Sequence, residues 1–127
     1  MKTAELEGAA LDAAVALVEG KTFERATART AFGCDVGAPI IGFERDGPIV
    51  FRPSTNWSIG GPIVQRERIA IVHEHGTWLA YVDGDLSGPD GQLESLAPGQ
   101  PGRGPTPLIA AMRAFVASKL GEEGDSP

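Results

Sequence analysis

The residues best spaced for chemistry lie in the acidic segment Asp83-Gly84-Asp85-Leu86-Ser87-Gly88-Pro89-Asp90-Gly91-Gln92-Leu93-Glu94. Asp83, Asp85, Ser87 and Glu94 fall where a calcium loop places its oxygen ligands, and Gly88 stands at the sharp turn. Such a loop needs a helix on each side. Thr77–Val82 reads instead as a strand, and Ala97–Pro105 is too rich in Gly and Pro for a helix. The segment therefore reads as an acidic, Gly-rich loop that meets the pattern by composition. No metal or cofactor is expected.

His73-Glu74-His75 would put two imidazoles on one face of a strand, as a zinc site could use. No third ligand accompanies them, so they read as exposed turn residues. Cys34, the single cysteine, permits no intrachain disulfide, and Asp35 beside it would raise its pKa rather than activate it. Ser54, the histidines and Asp35 show no spacing that favours a catalytic triad. Gly60-Gly61-Pro62 lacks the Gly-Lys-Ser/Thr of a phosphate loop. An enzyme is not expected.

Recognition is better supplied. Arg52, Trp57, Arg66, Arg68 and Trp78 combine the two residue types that interfaces favour. On a strand, Arg66 and Arg68 would share a side; on a helix they would diverge by about 160°. The competing reading makes both tryptophans core and leaves the arginines to solvate an edge. If that edge is exposed, replacing Arg66 and Arg68 together by Ala should leave stability nearly unchanged.

These residues must be positioned by a chain of 127 residues, of which 42% are hydrophobic and 22% charged. That is enough for one domain with its own core. The 11 basic and 17 acidic residues give a net charge of -6, which disfavours nucleic acid and anionic membranes as partners. Glu5, Glu7 and Asp12 interrupt any signal-peptide core, so a cytoplasmic protein is expected.

Residues 3–19 read as a helix with Thr3 as N-cap and Gly20-Lys21 as its stop. Its apolar stripe runs through Leu6, Ala10, Ala13 and Leu17, with Glu5, Gly8, Asp12 and Glu19 towards solvent. Residues 106–120 read as a second helix, with Thr106 as N-cap and Pro107 opening the first turn. Ala38–Phe43 and Pro48–Arg52 flank the turn Asp46-Gly47; Ile69–His73 and Thr77–Val82 flank Glu74-His75-Gly76. Both pairs suggest hairpins. Residues 54–67 are ambiguous: Ser54 could cap a short helix, but Gly60-Gly61-Pro62 should interrupt it, and Pro62 could open a brief helical turn through Ile63, Val64 and Glu67. Residues 83–105 read as a long loop, and 122–127 as a frayed acidic tail.

Two stretches are similar to a known family. Phe51-Arg52-Pro53-Ser54-Thr55-Asn56-Trp57, followed by Gly60-Gly61-Pro62-Ile63-Val64-Gln65-Arg66-Glu67-Arg68-Ile69, resembles a signature of NinX-like proteins of lambdoid phages and prophages. Gly104-Pro105-Thr106-Pro107-Leu108-Ile109-Ala110-Ala111-Met112-Arg113 resembles the family's C-terminal helix. Glu5-Leu6 with the alanine-rich run to Ala16, and Trp78 with Ala80, are similar too. Asn56 stands where the family pattern has an acidic residue, and Gln65 where it has Glu, so no acid–base pair forms there. The resemblance implies a bacterial cytoplasm during phage growth or lysogeny and a helix–sheet–helix arrangement, and it supplies no activity.

The expectation is one α+β domain over residues 1–127. It has an N-terminal helix, a central antiparallel sheet of about four strands, and a C-terminal helix packed on that sheet. The expected function is a non-enzymatic phage or prophage accessory protein that binds another protein. An accessory factor of recombination or replication is the alternative. Ser54, Asn56, Trp57, Arg66 and Arg68 are the candidate binding residues.

Overall fold

A computed structural model describes residues 5–27, 36–45, 47–82, 84–85, 94–95 and 101–120. In chain order the elements are α1 (Gly8–Val18), β1 (Glu24–Arg25), β2 (Pro39–Glu44), β3 (Gly47–Val50), α2 (Trp57–Arg66), β4 (Ala70–Glu74), β5 (Thr77–Tyr81), β6 (Gly84–Asp85), β7 (Glu94–Ser95), β8 (Gly102–Gly104) and α3 (Pro107–Leu120). The class is α+β.

The expected single sheet is corrected to two three-stranded antiparallel sheets, β1-β2-β3 and β4-β5-β8, with β6-β7 as a separate ribbon. The two hairpins form as expected but do not pair with each other, because α2 is inserted between them. The third strand of the second sheet comes from Gly102-Arg103-Gly104, inside the segment read as loop. Its register sets Trp78 opposite Gly104 and Ala80 opposite Gly102. Two glycines in three residues carry no strand propensity; what selects them is the helix above. A Cβ on Gly102 would stand 2.6 Å from the Ala114 nitrogen and 2.8 Å from its Cβ. The glycines thus let α3 lie almost backbone to backbone on β8.

The second hairpin turns through His75 (φ 52) and Gly76 (φ 78), between the paired Glu74 and Thr77. Two consecutive positive φ values make this a type I′ turn, whose twist matches the flanking strands.

Thr106 caps α3 as expected: its Oγ1 accepts from the Ile109 N–H at 3.2 Å. Helix α1 starts later than expected, at Gly8, with Glu7 at the N-cap and no side-chain cap bond; Thr3 lies outside the described residues. Its stop is as read. Gly20 N–H bonds to Leu17 O and Lys21 N–H to Ala16 O, the double closure of a Schellman motif with Gly20 left-handed.

The core is built where α3 meets α1 and the second sheet. Phe115, Leu11, Met112, Val15 and Val116 are its largest fully buried apolar side chains. A smaller cluster of Ala26, Ala38 and Ile40, with Ala9 against it, joins α1 to the first sheet. The expected helix–sheet–helix layering is therefore also corrected. Helix α3 lies on the second sheet, while α1 lies between α3 and β2. Arg113 of α3 ties down both ends of this arrangement, donating to Leu6 O at 2.7 Å and to Arg103 O at 2.8 Å. No helix among the described residues is long and apolar enough to cross a membrane.

Candidate interaction surface

The corner Phe51–Asn56 leads the chain out of the first sheet and into α2. Its tightness begins at Arg52, whose carbonyl accepts from the Asn56 N–H at 2.9 Å and the Thr55 N–H at 3.3 Å. Pro53 and Ser54 are fully buried. The Ser54 N–H donates to Asp12 Oδ1 at 2.9 Å. Asp12, expected on the solvent face of α1, is instead 5% exposed. The Ser54 backbone donor helps to hold a carboxylate there. The Ser54 hydroxyl is buried without a hydrogen-bond partner, so of the candidate binding residues Ser54 belongs to the interior.

Asn56, rather than Ser54, caps α2: its Oδ1 accepts from the Ser58 N–H at 2.9 Å. The helix then runs through Gly60, Gly61 and Pro62, where the local sequence predicts an interruption. Propensity alone opposes this, at about 1 kcal/mol per Gly and about 3 kcal/mol for Pro. Tertiary contact overrides it. A Cβ at Gly60 would lie 2.8 Å from Leu108 Cδ2 and closer still to the Pro53 carbonyl, so glycine is what permits the helix to seat. Ile63 is buried beside it, whereas Pro62 faces solvent. There the carbonyl it leaves unbonded can reach water.

The outward arc of α2 carries Trp57, Ser58, Gly61, Pro62 and Gln65. Trp57 is 53% exposed, unlike Trp78, which is half-buried and packs against His73 with ring centroids 4.8 Å apart and the rings tilted by 54°. The reading that makes both tryptophans core therefore holds for Trp78 alone.

Arg66 closes the helix and is already engaged. It bonds Glu19 Oε1 at 2.6 Å and Glu67 Oε2 at 2.9 Å, and lies 5.7 Å from the Phe115 ring centroid. Lys119 reaches Glu67 Oε1 at 3.5 Å. The last turns of α2 and α3 each carry a cation suited to the helix dipole, and the C-cap of α1, Glu19, is answered by Arg66. The hydrogen bond to Glu19, then that to Glu67, raises Arg66 above the ordinary guanidinium value. For Glu67, partial burial acts to raise the pKa, but the Arg66 bond and the Lys119 and Arg66 charges together hold it below the usual carboxylate value.

Arg68 follows in a left-handed conformation, φ 53. Its N–H bonds Gln65 O and the Ile69 N–H bonds Val64 O, so it occupies the Schellman position where glycine is the strain-free choice. Arg66 and Arg68 thus share neither a strand face nor a helix.

A family model described as bacteriophage P22 NinX matches residues 2–119, nearly the whole chain. The chain belongs to the NinX family. Among curated proteins none matches it. In this NinX chain the signature around Ser54–Ile69 turns out to be a seated helix: Pro53, Ser54 and Gly60 fit it to the body, while Trp57 points outward. The sequence held signals for two features that were missed. Asn56 two residues before Ser58 is an Asx cap, and Asp12 amid buried alanines interrupts an otherwise apolar face.

His75 is exposed in its turn, 3.5 Å from Glu74. Asp85 and Glu94 are paired in the β6-β7 ribbon, and the described residues before it form strand β5 rather than a helix. Asp83, Ser87, Cys34 and the tail 122–127 lie outside the described residues. No three His, Cys, Asp or Glu side chains among the described residues are grouped to hold a metal ion.

The expectation that Arg66 and Arg68 can be lost without cost is revised. Arg66→Ala should cost on the order of 1 kcal/mol, since it strands Glu19 and breaks a network rather than one exposed pair. Glu67 adds a pH signature. Its folded pKa is lowered, so its contribution is complete above about pH 4.3, the unfolded value. It is lost as pH falls through the folded pKa. Urea midpoints of the wild type and Glu67→Gln should differ at pH 7 and converge on acidification; a constant difference would contradict the assignment.

Proposed function

We propose that this NinX-family chain is a non-enzymatic phage or prophage accessory protein of the host cytoplasm that binds another protein through the outer face of α2. The observation that carries the reading is Trp57, 53% exposed on a helix whose start is fixed by Asn56, by the Asp12–Ser54 bond and by the close seat of Gly60. A large rigid aromatic on a braced element provides contact area at low entropic cost, as interface anchors do. Asn56 lies beside it at the rim, and Arg66 and Arg68 at the far end of the helix.

The test is affinity capture from a phage-infected or lysogenic host with wild type and Trp57→Ala in parallel. The substitution should leave stability within about 0.5 kcal/mol. Loss of an anchor worth about 2 kcal/mol weakens binding about thirtyfold, enough to empty the bait lane. A partner retained at full strength by a folded Trp57→Ala protein would refute the reading.

A further inference from the structure

We infer that the outer edge of β4 is a self-association surface, where β4 of a second copy pairs antiparallel about a twofold axis at Val72. Among the described strands, β4 is an outer strand of the second sheet and pairs only with β5. An open strand edge offers N–H and C=O groups to any passing strand, and folded proteins blunt such edges. The other outer strands of the two larger sheets are blunted. β1 has two residues, both charged. β3 carries Pro48, which has no N–H to offer. β8 is Gly-Arg-Gly, short and with α3 against its backbone. β4 is Ala-Ile-Val-His-Glu, five residues without Pro, Gly, Lys or Arg, in regular register. Its Ala70, Ile71 and Val72 stay half-exposed.

The tight turn fixes which groups face outward. A two-residue type I′ hairpin closes on a hydrogen-bonded pair, here Glu74 and Thr77. Bonded and non-bonded pairs alternate from there. Val72 and Ala70 therefore bond to β5, while Ile71 and His73 aim their N–H and C=O outward. Ile69 is next in the alternation, and its N–H is taken by Val64 O at 3.0 Å, which ends the open stretch. Neither Ile71 nor His73 has a further backbone partner among the described residues. Two open residues with one between them are self-complementary. With the axis at Val72, Ile71 of one protomer exchanges backbone bonds with His73 of its partner, and His73 with Ile71. Each open N–H then finds a carbonyl. Val72 meets its own copy as a non-hydrogen-bonded pair, the closer kind, with Cα atoms about 4.5 Å apart. The side chains agree. Val72 lies opposite Leu79, and Leu79 opposite Arg103. This row ends in a charge on β8 but in valine on β4, so pairing continues it into the partner's row. No like charges meet, because Glu74 of one protomer falls opposite Ala70 of the other. The two Glu74 residues stand about 13 Å apart along the strands. A foreign strand could use the same backbone groups. What favours a second copy is that the register using each open N–H is symmetric and sets valine on valine.

Sedimentation equilibrium of the full chain tests this, in about 0.15 M salt, where the repulsion between copies is screened beyond about 8 Å. The wild type should pass from monomer to dimer between about 10 μM and 1 mM, as suits so short an edge. Val72→Lys and Val72→Glu should each associate at least about tenfold more weakly, because each sets a like charge on itself across the axis. Their equimolar mixture should dimerise again, since Lys then faces Glu. A second readout avoids a charged residue on the strand. Cys34 is the single cysteine, so Val72→Cys is made together with Cys34→Ser. Mild oxidation should link two protomers through residue 72, whose Cα separation suits a disulfide. Glu74→Cys in the same background should not link. A wild type that stays monomeric over the whole range would overturn the inference. So would a folded Val72→Lys that dimerises as the wild type does, or equal crosslinking at residues 72 and 74. A monomeric chain that binds a labelled peptide of alternating valine and threonine would overturn it in favour of a foreign strand.

Discussion

Gly102→Ala is expected to destabilise the fold by about 3 kcal/mol, the upper range for forcing atoms into a packed interior. The added methyl would meet the Ala114 nitrogen at 2.6 Å and the Ala110 carbonyl closer still. Both are backbone atoms of α3, which no rotamer change can move. Relief requires lifting α3 from β8, and α3 carries Phe115, Met112 and Val116, the centre of the core. Gly61→Ala is the matched control. There the nearest atom to a new Cβ is Trp57 Cε3 at 3.9 Å, an ordinary contact. The helical conformation suits alanine, so that variant should gain up to about 1 kcal/mol. Urea unfolding of the two variants decides the matter. A Gly102→Ala protein as stable as the wild type would mean that α3 does not approach β8 so closely.

The contrast between these glycines shows where the sequence was readable. Helix α3 was legible because every signal is local: Thr106 at the cap, Pro107 in the first turn, apolar residues at helical spacing. The hairpins were legible for the same reason, since both turns have their signals in adjacent residues: His75-Gly76 makes the second, while the first turns one residue earlier than Asp46-Gly47, with Gly47 already paired to Glu44. Strand β8 was not legible, because Gly102 and Gly104 are chosen by a helix that lies later in the chain and across the sheet. Helix α2 was obscured in the same way. Gly60 and Pro62 argue against a helix locally, and of the two groups that make Gly60 necessary, the Leu108 side chain is distant in sequence and the Pro53 carbonyl reads as turn.

The candidate site divides along the same line. Trp57 was singled out by residue type, and its exposure is a property of α2, whose helical course the local sequence opposed. Ser54 was singled out by its polar neighbours, yet its backbone N–H makes the bond that counts, to a carboxylate 42 residues earlier. Arg66 was chosen for its charge. Its partners Glu19 and Lys119, the latter through Glu67, come from the ends of two other helices, and only the folded chain brings them together.

Asp12→Ala should cost about 2–3 kcal/mol, the range for removing a charged acceptor from a buried donor. The Ser54 N–H would be left in the interior beside a hydroxyl that already has no partner, and water reaches neither at 2% exposure. Asp12→Asn separates the hydrogen bond from the charge. Its amide oxygen can still accept from Ser54, so it should be less damaging than Ala if the Ser54 bond dominates. The consequence extends to the surface, because Ser54 lies two residues before the Asn56 cap and three before Trp57. Loosening the corner should free the start of α2 while α3 and the second sheet stay closed. Amide hydrogen exchange can resolve this. In Asp12→Ala, Ser54 and Gly60 should lose protection more than Met112 and Phe115 do, as for a local opening rather than a global one. Equal loss at all four amides would place Asp12 among the residues that hold the whole core. Unchanged exchange at Ser54 would remove it from the corner altogether.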